Sequence, residues 1–357
     1  MKRHRFLAIR PILLLLTLMW SVVAGAQSNP LVGDWTIVAT GFDSLSGGTS
    51  YLTLSIEDND GNLEAFLFNG PAPLRVDGTE FELDLDWFTG FHRDYTSTLK
   101  GKLNVDGTIE GDLLHFGAMN FLGRPLHDGG FTGARAEDPP DLEDIAPDPV
   151  DLSGIWNRAS SQWFVRKLKL SFTGHGQDIY DNYMEMDNAV TRCAAPGLMS
   201  LVTSLPYPME ILHTDDYIVM AIGADFVRRI YLDGREFPDG AANSSLGFST
   251  GEWKGETLVV TTTHLNPAFI TSKGQPVSGD AQAVEHYYFD KKGYLHADTW
   301  LHDPVNYSRP PFYRRVYDRN FSPSVITKVD CDPYTFFRAL YLEGELETFW
   351  ERARFRR

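Results

Sequence analysis

Asp-Gly and Asn-Asp-Gly turns recur at short intervals between runs that alternate apolar and polar side chains. "TSYLTLSIEDNDGNLEAFLFNG", "LRVDGTEFELDLDW" and "GKLNVDGTIEGDLL" all follow this plan. Alternation gives a strand one apolar and one polar face, because its side-chain period is two. Asp-Gly supplies the left-handed backbone that a tight hairpin turn needs. Phe81, Leu83, Leu85 and Trp87 alternate in this way with Glu82, Asp84 and Asp86. The pattern predicts a mainly β chain, with a small antiparallel barrel or sandwich over 27–135.

A second region begins after "ARAEDPPDLEDIAPDPVD". Repeated proline and like charge favour an extended chain there, so 136–151 reads as a linker. Each side of it opens alike, with "VGDWTI" at Trp35 and "SGIWNR" at Trp156. A Gly-x-Trp at the first strand resembles the start of lipocalin-like barrels, where the tryptophan closes one end. Strands are expected at "PMEILHTDDYIVMAIG", "FVRRIYLDGREF", "GETLVVTTTHL", "AVEHYYFD" and "YLHADTWLHD", and a short helix before Cys193. The expected fold is therefore two antiparallel β domains, the second a larger lipocalin-like barrel over 152–335. An amphipathic helix over 336–357, interrupted at Gly344, is expected to pack on that barrel.

The chain opens with Lys2, Arg3, Arg5 and Arg10, an apolar run from Ile12 to Val23, and Ala24-Gly25-Ala26. This is the layout of a signal peptide over 1–26, with the mature chain starting at Gln27 in the periplasm or outside the cell. Losing those four basic residues takes the formal charge from −16 to −20. Such a charge disfavours nucleic acid and anionic lipid surfaces as partners, and no later stretch is apolar enough to insert into a membrane. Two cysteines remain, Cys193 and Cys331. In an oxidising compartment they can pair, for a gain on the order of 4 kcal/mol, or stand as two buried thiols or one reactive thiol.

"GFSTG" at 247–251 fits G-x-S-x-G, the pattern of a hydrolase nucleophile elbow. That device needs a helix directly after the serine. Here "TGEWKGETLVVTTTH" follows, with a turn near Gly255 and a β-branched run at 258–263, so a hairpin is expected and Ser249 is set aside as a nucleophile. Together with "RCAAPGLMSLV", "PYPMEIL", "RRIYLDGREFP" and "LHDPVNYSRPPF", the stretch "GFSTGEWKGETLVVTTTHLNP" resembles a large group of exported bacterial proteins of unknown function over roughly 170–335. Their pattern reads R-x-I-Y-x-D-G-R, then G-H-S-x-G-x-W-E-G-D-T-L-V-V. The matching positions are Cys193, Pro196, Gly197, Arg228, Ile230, Tyr231, Asp233, Gly234, Arg235, Gly247, Ser249, Gly251, Trp253, Gly255, Asp303 and Pro304. Phe248 stands where the pattern often has histidine.

The densest polar chemistry lies in "AVEHYYFDKKGYLHADTWLHDP". His296, Asp298, Trp300 and His302 recur at every second position and so share one face of a strand. Two registers are open for the hairpin. One puts Tyr287 and Glu285 opposite His296 and Asp298; the other puts Tyr288 and His286 there. His296, Asp298, His302 and Glu285 are the candidate acid/base groups, and Arg228, Tyr307, Trp300 and Tyr287 the candidate binding groups. His296 and His302 sit roughly 20 Å apart along an extended strand, too far to share a metal ion. A metal would need ligands such as His264 or His213, and no metal or cofactor is assigned. Asp233-Gly234 between Arg228-Arg229 and Arg235 reads as a hairpin turn. The expected function is binding of a small apolar or sugar-like molecule, with or without acid/base turnover. The alternative is a non-catalytic envelope carrier, and the oligomeric state stays open.

Overall fold

The computed structural model describes residues 29–40, 49–67, 70–85, 96–116, 127–136, 139–159, 170–203, 207–223, 225–319, 326 and 331–354. The expected signal peptide and Trp87 lie outside them. Nine strands form the first sheet: β1 (Gly33–Thr40), β2 (Thr49–Asn59), β3 (Asn62–Leu67), β4 (Gly70–Ala72), β5 (Leu74–Asp77), β6 (Glu80–Leu85), β7 (Thr96–Leu103), β8 (Ile109–Phe116) and β9 (Gly129–Arg135). All pair antiparallel, in the order β4-β3-β2-β1-β9-β8-β7-β6-β5, and the sheet coils nearly into a barrel. Alternation sets its core, with Phe81, Leu83 and Leu85 buried beside Trp35, Ile37 and Leu99.

A closed barrel follows. Its strands are β10 (Gly154–Arg158), β11 (Met209–His213), β12 (Tyr217–Ile222), β13 (Phe226–Tyr231), β14 (Phe248–Lys254), β15 (Thr257–Thr263), β18 (Gln282–Phe289), β19 (Leu295–His302) and β20 (Phe312–Arg319). A two-stranded ribbon, β16 (Ala268–Phe269) with β17 (Pro276–Val277), sits between β15 and β18. Pairing of β10 with β20 closes the ring, which leaves no free edge.

Both Gly-x-Trp starts adopt one geometry. Trp35 and Trp156 are buried, and each indole N–H donates to the carbonyl four residues earlier, Leu31 at 3.0 Å and Leu152 at 2.9 Å. Opposite each tryptophan the last strand of its sheet places an arginine over the ring, Arg135 and Arg319. Gly154 has a φ of +140°, which favours glycine, and a Cβ there would stand 3.1 Å from that second guanidinium.

One expectation is corrected. The barrel is antiparallel except at β13–β14, which run parallel through Ile230↔Ser249 and Tyr231↔Thr250. Asp233-Gly234 is therefore no hairpin turn. Parallel neighbours need a crossover of a dozen or more residues, and 232–247 supplies it. The C-terminal segment is two helices, α3 (Pro333–Glu343) and α4 (Leu346–Arg354), broken where Gly344 takes the left-handed conformation of a helix C-cap. Leu340 and Phe349 pack on Met186, in the segment between α1 (Gly174–Asp181) and α2 (Leu198–Thr203). Cys193 and Cys331 form a disulfide that fastens α3 to this segment. Helix α2 is buried along most of its length against the barrel core.

Candidate functional site

The β18–β19 hairpin takes the second of its two registers, with Tyr288 opposite His296 and His286 opposite Asp298. Glu285 then pairs with Thr299 and turns to the other face of the sheet. The candidate acid/base groups are thereby divided by the barrel wall.

Inside the barrel, Arg228 on β13 is almost wholly buried. Its Nε donates to Ser249 Oγ (3.0 Å), its Nη2 to Thr262 Oγ1 (2.7 Å), and its Nη1 and Nη2 to both oxygens of Glu285. Tyr287 donates its hydroxyl to Glu285 Oε1 (2.8 Å). Burial opposes charge on Arg228, but the carboxylate beside it wins and holds the guanidinium pKa above its ordinary value. Burial first, then the charge of Glu285, pushes the Tyr287 phenol well up. Thr262 reaches this cluster because β15 alternates, with Leu258, Val260 and Thr262 inward. Ser249 is thus a partner of a guanidinium and a hydroxyl, within a strand, and has none of the geometry of an activated nucleophile. Phe248 stacks on Tyr231 at 5.4 Å and meets Phe237 edge-on, in an aromatic group that includes His264.

On the outer face, Arg314 Nε and Nη2 hold the two oxygens of Asp298 at 2.6 and 2.5 Å, and Tyr288 donates to the same carboxylate at 3.0 Å. His296 Nε2 lies 3.2 Å from Asp290 Oδ2, which also accepts from the Tyr51 hydroxyl at 2.6 Å. Tyr51 belongs to β2 of the first sheet. Trp300 donates its indole N–H to Ala136 O at 3.0 Å, and Lys292 donates to Thr49 Oγ1. This face is where the two sheets meet. Burial, then the charge of Arg314, lowers the His296 pKa, and burial lowers that of His286. His302 pairs with Gln282 at the strand end and is half-buried.

At the barrel end where β15 and β19 finish, a cleft of about 550 Å³ opens between α1, the β16–β17 ribbon and Arg352 of α4. His175, Asp178, Ile179 and Asn182 recur at helical i, i+3, i+4 and i+7 spacing and line one wall. Pro267, Phe269, Pro276 and Val277 line the other. The "DPVNY" turn builds the floor. Asp303 accepts from Ser278 N (2.9 Å), Ser278 Oγ (2.7 Å) and Asn306 Nδ2 (2.7 Å), and Tyr307 donates to Pro276 O (2.8 Å). A Cβ at Gly176 would come within 2.1 Å of Asn306 O, so only glycine lets α1 seat against that turn. Arg352 closes one side, donating to both oxygens of Asp187 and to Asn182 O (2.6 Å).

Of the candidate residues, Tyr307 supports this cleft from below, while the other seven lie inside the barrel or at and near the meeting of the sheets. Sequence reading missed Asp178, Asn306 and Arg352, which lie far apart in the chain. The helical stripe on α1 was the legible signal, but it is polar and carries little apolar periodicity. Among the described residues no group of three or more His, Cys, Asp or Glu is arranged to hold a metal ion. No known family model matches the chain, and a search of curated proteins finds no similar one.

Proposed function

We propose that this is an exported β-barrel protein that binds a small molecule in the cleft between α1 and the β16–β17 ribbon, and that it works as a carrier or binding module. One observation carries the reading. The cleft joins apolar walls to a row of polar side chains in a concavity of ligand size, whereas Glu285 and Asp298 are each consumed by an arginine. A general acid or base must be free to exchange its proton with substrate. Membership of the exported group is supported by the ordered motifs from Cys193 to Pro304, several of which shape the cleft and its surroundings. Gly197, for example, lets α2 close on Ala268, where a Cβ would come within 2.6 Å. Export is supported by the basic and apolar leader and by the disulfide, which suits an oxidising compartment.

The test is a metabolite pull-down with the purified mature protein, followed by hydrogen exchange of the complex. The expected result is slowed exchange at 174–182 and 267–279 with the ligand recovered unchanged. Turnover that is lost in His296→Ala or Glu285→Ala would overturn the carrier reading. Separately, N-terminal sequencing of the protein from the periplasmic or extracellular fraction is expected to begin at Gln27.

A further inference from the structure

Among the described residues, the cleft's Asn182, Ser278 and Asn306 donors are already engaged, and His175 on its wall can still donate. The Asp178 carboxylate is exposed at the cleft mouth and, among the described residues, meets only the Asn182 amide, at 3.1 Å from Oδ1. Asn182 Nδ2 is already donating, to Asp178 O and Oδ1. Asn306 is buried in the floor; its Nδ2 is spent on Asp303, and its Oδ1 receives no hydrogen bond among the described residues. Ser278 gives its proton to Asp303 and accepts from Asp280 N. Arg352 is the arginine of the cleft, and its charge is matched by Asp187. Asp178 is thus left as unmatched negative charge. Opposite it, Phe269 presents an aromatic ring, steadied edge-on by Tyr183 at 4.9 Å between centroids.

Resting on the cleft as the binding site, we propose that its ligand is a small organic cation: a protonated amine carried on an apolar, ring-sized body. The ammonium donates to Asp178, while the body lies along Pro267, Phe269, Pro276 and Val277. A charge-assisted hydrogen bond is stronger than a neutral one, and an aromatic face attracts the same cation. The formal charge of −16 adds long-range attraction for cations and repels anions. A carboxylate or phosphate ligand would meet Asp178, and the arginine beside it is already matched by Asp187.

Three probes of one shape separate the possibilities: benzylammonium, benzyl alcohol and benzoate. Each is titrated into the mature protein with methyl-labelled isoleucine and valine, following Ile179 and Val277 by NMR. The expected order is benzylammonium about tenfold tighter than benzyl alcohol, with benzoate weakest, in line with the roughly doubled strength of charge-assisted bonds. Asp178→Asn is expected to bring benzylammonium down to the level of the alcohol. Glu256→Gln, which removes the same charge from an exposed position on the β14–β15 turn, is expected to leave the ratio unchanged. Alcohol binding as tightly as the ammonium, with Ile179 and Val277 both shifting, would overturn the cation class and leave the cleft standing. No shift at either residue with any probe would overturn the cleft itself.

Discussion

The two faces of the β18–β19 hairpin are made of adjacent residues and solve opposite problems. Inward, Glu285 and Tyr287 join Arg228 in a network sealed from water. Outward, Tyr288, His296 and Asp298 join Arg314, Asp290 and Tyr51 where the two sheets dock. Each network carries one arginine held by both oxygens of a carboxylate. The inner one is surrounded by barrel core on every side, and the outer one by a seam between two separately built sheets. A polar strand face is therefore no evidence of an active site by itself, since a seam between sheets requires the same chemistry.

This contrast orders the expected effects of mutation. Arg228→Ala strands the Glu285 carboxylate in the core and is expected to cost about 3–5 kcal/mol in chemical denaturation, the largest single loss. Arg228→Met with Glu285→Leu is expected to recover most of it, because the pair is replaced by apolar side chains of similar size. Asp298→Ala leaves Arg314 half-satisfied by Tyr288 at the seam and is expected to cost about 2–3 kcal/mol. Equal losses for the two faces would erase the distinction between core and seam.

The seam is also sensitive to acid. The docked His296 has a pKa below its ordinary 6.5, so the undocked or unfolded chain binds the proton first. Stability from this residue is complete above pH 6.5 and declines as pH falls below it, until the lowered docked value is passed. His286 acts in the same sense. Asp290 also titrates below its ordinary 3.8: burial raises it, but hydrogen bonds from Tyr51 and the 292–294 backbone outweigh that. Its contribution is lost only as pH falls below 3.8. Thermal unfolding between pH 7.5 and 5 is expected to show a falling midpoint whose slope His296→Gln reduces, with Arg228→Ala leaving the slope intact. Tyr51→Phe removes one hydrogen bond across the seam and is expected to cost about 1 kcal/mol. Ser249→Ala, which leaves Arg228 its bonds to Glu285 and Thr262, is expected to cost about as little, and a far larger loss would make the serine central to the inner network.

Much of this fold was legible because alternation and Asp-Gly turns are local signals. The runs around Phe81 and Leu83, the hairpin at Gly255 and the paired tryptophan starts all depend on neighbours in sequence. The parallel β13–β14 pair was not legible, because Asp233-Gly234 looks like any hairpin turn until the strand after the crossover is seen to run the same way. The candidate site failed for a related reason. Period two correctly placed His296 beside Asp298, but which face met water and which met Tyr51 depends on a sheet more than 200 residues away. The cleft was the least legible, since its walls come from α1, the β16–β17 ribbon, the 303–307 turn and α4.

The most direct test of the central claim is crystallographic solvent mapping, with separate soaks in isopropanol, phenol and benzylamine. Probe molecules overlapping between His175, Asp178 and Phe269 are the predicted result. Clustering of the same probes beside His296 and Asp298, with the cleft empty, would contradict it.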